Sequence, residues 1–337
     1  MKKKNWLALL LVGAIAITSF QSCSKDDDET GTTTDTGPTE WTRATVFSDD
    51  PREGAASFVI NDKAYVVGGY TATRAILNDA QSFDGSQWDT AATFIGTPRH
   101  RAVGFAIEGA GYVGTGYDGT SALKDFYRYN SANNTWTKIA DFPGEARFGA
   151  VAFSLGGVGY VGLGETATGK TFDDMYRYNP SSNTWERIQT QFGWKRSGAF
   201  AFVIGNKAYV GGGRTNNQLP EDFLSFDGTT WTPLRNLNRS DADNTYDVRR
   251  SNASAFVIGG QGYLVSGRGS AGLIANVWKY DPASDTWTGQ HQAIQGSGAR
   301  EKAVGFAIGN NGFITTGSNG TGRENFFDET LKFVPVR

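Results

Sequence analysis

One pattern recurs six times along the chain and limits its fold more than any other feature. Each copy begins with an arginine and has a phenylalanine six residues later, then an apolar run that ends at a glycine. The six arginines are Arg52, Arg99, Arg147, Arg196, Arg250 and Arg300. The six glycines are Gly69, Gly116, Gly164, Gly213, Gly267 and Gly317, spaced by 47, 48, 49, 54 and 50 residues. A period near fifty residues with four short strands per unit predicts a six-bladed β-propeller.

Alternating apolar stretches and turn residues predict four antiparallel strands in each copy. In the first copy, residues 55–69 form two of them with a turn at Asn61-Asp62, and residues 80–83 and 87–90 form the others. Asp84-Gly85 lies between the last two, and an Asp-Gly pair between apolar strands favours a tight primed turn. These are hairpin meanders, and no copy contains the helical crossover of a parallel sheet.

The two ends of the chain predict how the ring closes. Trp41 precedes Arg52 by eleven residues, which is also the spacing from Trp88 to Arg99, while the last copy has no tryptophan of its own. The strand around residues 41–45 is therefore expected to complete the sixth blade and leave no open edge at the seam. The alternative is an open stack of six units with an unpaired first strand.

The repeats resemble kelch motifs, in which a glycine pair is followed by an aromatic residue and a tryptophan. The first copy has Gly68-Gly69 with Phe83 and Trp88, and the fourth copy matches it, whereas the other four keep only the second glycine. The resemblance covers residues 41–337 and implies an all-β fold of four-stranded antiparallel blades. It leaves function open, because kelch propellers include enzymes, adaptors and binding modules.

The N-terminus predicts export and lipid anchoring. Residues 1–4 form a basic segment with three lysines. Residues 6–20 are an apolar stretch too short for a stable membrane span, and Cys23 is the one cysteine of the chain. Cys23 resembles the acylated residue of a Bacteroidetes-type lipoprotein, although the usual leucine three residues before it is missing. The segment of residues 24–29, which contains four acidic residues, resembles the export signal for the outer face of the outer membrane. The alternatives are an ordinary cleaved signal and a plain acidic tether.

We therefore predict three segments: a signal peptide at residues 1–22, a flexible tether at 23–40 and the propeller at 41–337. The propeller carries 28 Lys and Arg against 28 Asp and Glu, with no basic stripe, which argues against nucleic-acid binding. The expected partner is a glycan or an exported protein. The protein is expected to be a monomer that contacts the membrane through its lipid alone.

Positions filled alike in all six copies are predicted to serve the fold rather than catalysis. Besides the arginines, a polar residue lies four positions before each third-strand aromatic. These residues are Asp79, Asp125, Asp174, Asp222, Asn276 and Glu329. Buried polar groups need partners, so we expect arginine–carboxylate bonds within or between blades.

Positions that vary between the copies are free for recognition, and they cluster just after each glycine and just after each arginine. The kelch resemblance implies that these positions surround the channel mouth and hold a ligand in one pocket. They are Tyr70, His100, Arg101, Tyr117, Glu165, Arg214, Arg268 and Lys302, with Arg323 added from the last long loop. Two tyrosines with several cations suit an acidic sugar or a carboxylate-bearing peptide. The alternative is a solvated loop face.

The sequence lacks the residues that most catalytic chemistries require. The copper centre of galactose oxidase, which has a kelch propeller, needs two histidines and a tyrosine linked to cysteine. Here the histidines are His100 and His291 and the cysteine lies in the predicted anchor, so a copper oxidase is excluded and no metal or cofactor is expected. We predict a non-catalytic binding module.

The enzymatic alternative is a sugar epimerase or mutarotase resembling the kelch-type N-acetylneuraminate epimerase. In that reading Glu53 or Glu165 would act as acid–base, with Arg214 or Arg268 holding the substrate. A third reading is a structural surface scaffold without a pocket.

Overall fold

The computed structural model describes residues 40–241, 244–296, 298–320, 322 and 325–335. These residues contain no α-helix, and their main sheets are six antiparallel blades, as predicted. No helix among them is long and apolar enough to cross a bilayer. The predicted signal peptide, Cys23 with its tether, and Arg323 lie outside the described residues.

Each blade has strands a to d, with strand a lining the central channel. Blade 1 has Ala56–Ile60, Lys63–Thr71, Ile76–Phe83 and Trp88–Ala91. Blade 2 has Val103–Ile107, Ala110–Gly114, Phe126–Asn130 and Thr135–Ile139. Blade 3 has Val151–Leu155, Val158–Gly162, Met175–Asn179 and Thr184–Ile188.

The remaining blades follow the same order. Blade 4 has Ser197–Ile204, Lys207–Arg214, Phe223–Phe226 and Trp231–Pro233. Blade 5 has Ser254–Ile258, Gln261–Val265, Val277–Asp281 and Thr286–Thr288. Blade 6 takes Val304–Ile308, Asn311–Thr315 and Glu329–Val334 from the C-terminal end of the chain and Glu40–Val46 as strand d.

The strand Glu40–Val46 closes the ring, which confirms the predicted closure and makes the open stack wrong. It pairs antiparallel with Glu329–Val334, and Trp41 lies opposite Phe333. The two rings are 4.9 Å apart, and Trp41 Nε1 donates a 2.9 Å hydrogen bond to the carbonyl of Gln292, after strand d of blade 5. The seam therefore has both a strand partner and a contact with the preceding blade.

The core lies between neighbouring blades, where the repeated phenylalanine of one blade packs on strand b of the next. The Phe58 ring lies so close to Gly111 that a Cβ there would be 2.2 Å from it, and Phe105 meets Gly159 at 2.3 Å in the same way. Ala208 takes this position opposite Phe153 in the cluster between blades 3 and 4. Only small residues fit here, because close-packed interiors leave no room for another methylene.

The short turns between strands differ in their backbone conformation and hydrogen bonding. Asn61 and Asp62 both have positive φ, 50° and 56°, as a primed two-residue turn requires. At Asp84-Gly85 the prediction needs correction, because only Gly85 has positive φ, at 99°. Asp84 instead accepts hydrogen bonds at Oδ1 from the amides of Ser86 and Gln87, the Asx turn that an aspartate side chain can form.

Two features interrupt the repeat. The long loop before Arg250 forms an extra hairpin from Asn238–Asp241 and Asn244–Asp247. The loop between strands b and c of blade 5 contains a second small hairpin, Arg268–Gly269 with Gly272–Leu273. We call the side of the propeller that carries the b–c and d–a loops the loop face.

Candidate ligand-binding site on the loop face

The six repeated arginines are buried and hold each blade together beneath the loop face. Arg147 donates from Nε to the carbonyl of Glu145, from Nη1 to the carbonyl of Leu163, and from Nη1 and Nη2 to Asp174 at 2.5 and 3.1 Å. The other arginine–carboxylate pairs also lie within a blade: Arg52 with Asp79, Arg99 with Asp125, Arg196 with Asp222, and Arg300 with Glu329. The repeated arginine side chains are buried, at 0–1% exposure.

Blade 5 departs from this arrangement. Asn276 stands where the other blades have a carboxylate, and Arg250 bonds to main-chain carbonyls instead, including those of Val248 and Ser266 at 3.1 and 3.0 Å. Burial lowers the pKa of Arg250 to about 10, and the charge of Asp247 opposes this only in part. Among the described residues, Arg250 is the one repeated arginine without an ion pair.

The kelch glycine and the residue before it share one backbone conformation in all six blades. The amide of each glycine donates to the carbonyl of the next blade's arginine, from Gly69 to Arg99 around to Gly317 and Arg52. The preceding residue has a φ between 56° and 66° in every blade. Glycine adopts that conformation without strain, yet four blades place a residue with a side chain there, including Thr115 and Ser266.

A closed ring of main-chain hydrogen bonds lies between the loop-face side chains and the channel. One residue per blade contributes, each with a φ between 53° and 65°, donating to the carbonyl of a neighbouring blade at 2.6–2.9 Å. The members are Gly54, Arg101, Gly149, Gly198, Asn252 and Lys302. The ring forms the floor of the site. Below it lies the channel, of 310 Å³, which is lined by strands a and, in each blade, by an alanine directly before strand a or near its start.

Two loops with the same sequence motif present different side chains to the site. Thr71 and Thr73 in blade 1 hydrogen bond to each other at 2.9 Å, as do Thr166 and Thr168 in blade 3. In both loops the first threonine also accepts a main-chain N–H four residues later. The shared turn fixes the preceding position, which is Tyr70 in one blade and Glu165 in the other.

A cavity of 450 Å³ opens on the loop face at blades 5, 6 and 1. Of the predicted residues, Tyr70, Arg268 and Lys302 line it. Its other lining residues include Glu53, Glu301, Ser318 and Phe326. Phe326 was missed because it follows the irregular last loop and has no counterpart in the repeat.

The other five described residues of the predicted set are His100, Arg101, Tyr117, Glu165 and Arg214, and they do not line this cavity. The single pocket expected from sequence is therefore divided.

Aromatic side chains form an arc around one half of the loop face. Their ring centroids are separated by 6.4, 5.3, 5.8 and 5.1 Å along the series. In order the members are Phe326, Tyr70, His100, Tyr117 and Phe148. The arc runs from blade 6 through blades 1 and 2 to blade 3 and contributes apolar faces edged with hydroxyl and imidazole groups.

Ion pairs lie beside the aromatic arc on the loop face. Lys302 donates to Glu53 at 2.7 Å, and Ser318 donates to the other oxygen of the same carboxylate. Arg268 donates from Nε and Nη2 to Glu301 at 3.0 and 2.7 Å. The cations expected to attract an acidic ligand are thus largely matched by carboxylates.

The third rim carboxylate, Glu165, lies between two arginines. Arg101 donates to it at 2.7 Å, and the guanidinium of Arg101 also lies 4.5 Å from the centre of the Phe148 ring. Arg214 is 3.9 Å from the same carboxylate and has a 43% exposed side chain. Arg214 is therefore the most loosely held of these cations.

Burial and neighbouring groups shift the pKa values of His100 and Glu301 on the loop face. Burial lowers the pKa of His100 to about 4, helped by the positive charge of Arg101, so this imidazole is neutral at pH 7. Burial opposes ionisation of Glu301, but hydrogen bonds from Arg268 and Asn252 outweigh it and lower the pKa of its carboxyl. Glu301 is therefore an anion and a hydrogen-bond acceptor at neutral pH.

Comparison with known proteins agrees with this architecture. A model of the KLHDC2/KLHL20/DRC7 kelch-repeats domain matches residues 18–195, more than half of the chain. The protein belongs to the kelch-repeat family. Its fold is also similar to that in a solved structure titled "Structure of YjhT", with a TM-score of 0.68 and 16% identity, and the match covers 85% of this chain and 96% of that chain. No curated protein matches the sequence.

Proposed function

We propose that this kelch propeller is a binding module of the cell envelope that holds a glycan on its loop face without catalysis. The observation that carries the proposal is the division of the loop face into an arc of aromatic rings and an arc of ion-paired side chains. Sugars present both kinds of surface, because their C–H faces pack on aromatic rings and their hydroxyls need donors and acceptors. A wall of aromatic rings beside fixed polar groups suits that combination.

The paired charges indicate which sugars the site accepts. Glu53 and Glu301 are held by cations and accept hydrogen bonds, so sugar hydroxyls can donate to their remaining lone pairs. A sugar carboxylate needs a cation that is not already saturated, and among the predicted rim cations Arg214 meets that need best. We therefore propose a hydroxyl-rich glycan, with any acidic group placed at Arg214.

Variants of the aromatic arc test the site. The wild-type protein is screened on an array of neutral and sialylated glycans, and the best ligand is then titrated. Tyr70→Ala and Tyr117→Ala should each weaken binding about tenfold, which corresponds to 1.4 kcal/mol. Tyr70→Phe should retain more affinity than Tyr70→Ala because the ring is kept.

For the charged arc, Arg214→Ala should weaken binding of acidic glycans selectively. Arg177→Ala is the matched control: Arg177 is also about half exposed, at 45%, but it pairs with Glu186 on the outer strands of blade 3, away from the loop face. The glycan proposal fails if the wild-type protein binds no glycan on the array, or if the tyrosine variants bind as well as Arg177→Ala does.

The proposed location at the cell surface rests on the sequence alone. Acyl chains supply the membrane affinity of a lipoprotein, so Cys23→Ala should release the protein from the membrane fraction. Replacing Lys25, Asp26, Asp27, Asp28 and Glu29 with neutral residues should reduce cleavage by external protease. A Cys23→Ala variant that stays with the membranes would argue for another means of attachment.

A sugar epimerase or mutarotase is the second candidate, and one observation favours it. Two largely buried carboxylates, Glu53 and Glu301, border the same cavity, an arrangement that acid–base chemistry on a sugar can use. NMR of α- and β-anomers of N-acetylneuraminate and N-acetylmannosamine, with and without protein, would detect faster anomer or epimer exchange. Acceleration that Glu53→Gln abolishes would establish the enzyme, and its absence would leave the binding module.

A further inference from the structure

A second concavity, of 380 Å³, lies on the loop face at blades 4 and 5, away from the aromatic arc. Its most prominent lining residue is Trp194, whose 39% exposure makes it the one exposed tryptophan among the described residues. The other lining residues are Asn217, Gln218, Leu219, Glu221, Arg249 and Ser270. We call this concavity the outer pocket. Leaving a large indole in water is unfavourable, and an exposed aromatic with convergent polar groups is typical of a binding site.

The walls of the outer pocket are held in place by the surrounding structure. The carbonyl of Trp194 accepts a 3.1 Å hydrogen bond from Nε of buried Arg196, which fixes the backbone under the indole. Thr215 and Gln218 exchange main-chain hydrogen bonds at 3.0 and 2.7 Å, forming a tight turn on the opposite wall. A pre-organised wall loses little conformational entropy when a ligand binds.

The inserted loop supplies the third wall. The guanidinium of Arg249 donates to both oxygens of Asp247, at 2.9 and 2.8 Å, so its charge is matched within the loop. Glu221 is then the one other charged side chain that lines the pocket, and amides and a hydroxyl provide the remaining polar groups. A strongly anionic ligand has no free cation to bind here, whereas a neutral sugar finds a ring face, donors and acceptors.

The outer pocket and the 450 Å³ cavity are joined by shared loops. The small hairpin of blade 5 places Arg268 in the cavity and Ser270, two residues later, in the outer pocket. In blade 4, the loop that carries Gln218 begins directly after Arg214 of the rim. These loops mark the path along which an extended ligand bound at the rim would reach Trp194.

We propose that the outer pocket is a second sugar-binding subsite in which a sugar ring stacks on Trp194. The ligand is then an oligosaccharide whose chain consists of neutral sugars, rather than a single sugar. This inference rests on the proposed glycan-binding function and adds the size of the ligand. In this proposal the inserted loop between blades 4 and 5 forms one wall of the outer pocket and so extends the binding site.

The test measures how the affinity for oligosaccharides of different length changes when either of the two sites is substituted. The probes are glucose, xylose and N-acetylglucosamine oligomers of one to six residues, titrated against the wild-type protein, Trp194→Ala, Trp194→Phe and Tyr70→Ala. Wild-type affinity should rise with length. Trp194→Ala should bind the longer oligomers about tenfold more weakly and the single sugar unchanged, and Trp194→Phe should recover part of the loss. Tyr70→Ala should weaken binding at every length.

A second readout follows the indole directly. N-bromosuccinimide should oxidise Trp194 before the other described tryptophans, and a saturating hexamer should protect it while the single sugar does not, as mapped by mass spectrometry. Affinity independent of length, or unchanged in Trp194→Ala, overturns the outer subsite and leaves rim binding intact. Loss in Trp194→Ala with no effect of Tyr70→Ala supports the outer subsite and contradicts the rim site. No binding of any probe by the wild-type protein counts against both.

Discussion

Arg101 of blade 2 reaches across to blade 3, where its Nη2 donates a 2.7 Å hydrogen bond to Oε1 of Glu165. The two side chains are only 12% and 13% exposed. Removal of one partner from such a pair leaves a poorly solvated charge. A double-mutant cycle with Arg101→Ala and Glu165→Gln should give a coupling energy of about 1–3 kcal/mol in urea denaturation.

Arg214→Ala is the comparison for that cycle, because it removes a more distant and more exposed cation from the same carboxylate. We expect a change in unfolding free energy of about 0.5 kcal/mol or less. A coupling energy near zero for Arg101 and Glu165 would contradict the pairing.

The repeated arginines should matter for stability far more than exposed ones. Arg147→Ala should lower the free energy of unfolding by about 3–5 kcal/mol, because it leaves the half-buried Asp174 without its partner. Arg177→Ala, in the same blade, removes an exposed ion pair and should cost at most about 1 kcal/mol. Guanidinium denaturation of both variants measures the contrast, and equal losses would contradict it.

Blade 5 can be stabilised by restoring the missing carboxylate. Asn276→Asp should place an anion beside Arg250 and raise the free energy of unfolding by about 1.5–3 kcal/mol, as for a hydrogen bond to a charged group. A paired aspartate has a lowered pKa in the folded state, so the gain should be present at pH 7 and lost as the pH falls below about 4. Asn276→Ala, which introduces no charge, is the control and should show no gain.

The first position of the kelch glycine pair offers a test of backbone strain. Ser266 has a φ of 58°, and its buried Oγ lacks a hydrogen-bond partner among the described residues. Ser266→Gly should therefore stabilise the protein by about 1 kcal/mol. Gly68→Ser should do the opposite, because a Cβ there would lie 2.6 Å from the carbonyl oxygen of Arg99. Thermal unfolding of both variants should show shifts of opposite sign.

His100 should make the stability pH-dependent. Its pKa is about 4 in the folded protein against 6.5 in the unfolded chain, so the unfolded state binds the proton first as the pH falls. The contribution of the neutral imidazole is complete above pH 6.5 and is lost toward pH 4. Between pH 7 and 4.5 the wild-type protein should lose about 2–3 kcal/mol more than His100→Gln does in urea denaturation. Parallel losses in the two proteins would show that the imidazole is not buried.

The fold could be predicted from the sequence because the residues that each blade needs recur in six copies. Arg147 and Asp174 recur at matching positions in most blades, and Trp41 stands at the spacing that completes blade 6. Such positions depend on local register and on one interface copied around the ring. The six copies therefore support the same prediction. They even allowed the partner of Arg147 to be predicted as a carboxylate.

The loop face could be predicted only as a set of candidate residues. Their registers placed Tyr70, Arg268 and Lys302 on the loop face, but no local pattern shows that Lys302 pairs with Glu53, 249 positions away in the chain. This ion pair forms only when the ring closes and brings the last blade against the first.

The sequence by itself thus determined the architecture and the face on which variation accumulates. The tertiary structure decided which side chains meet there, because contacts between blades depend on how the whole ring closes rather than on any one repeat. Closure matched most of the rim cations with carboxylates, joined Phe326 to Tyr70, and left Trp194 exposed beside the inserted hairpin. Non-repeated contacts of this kind have no second copy in the chain from which they could be inferred.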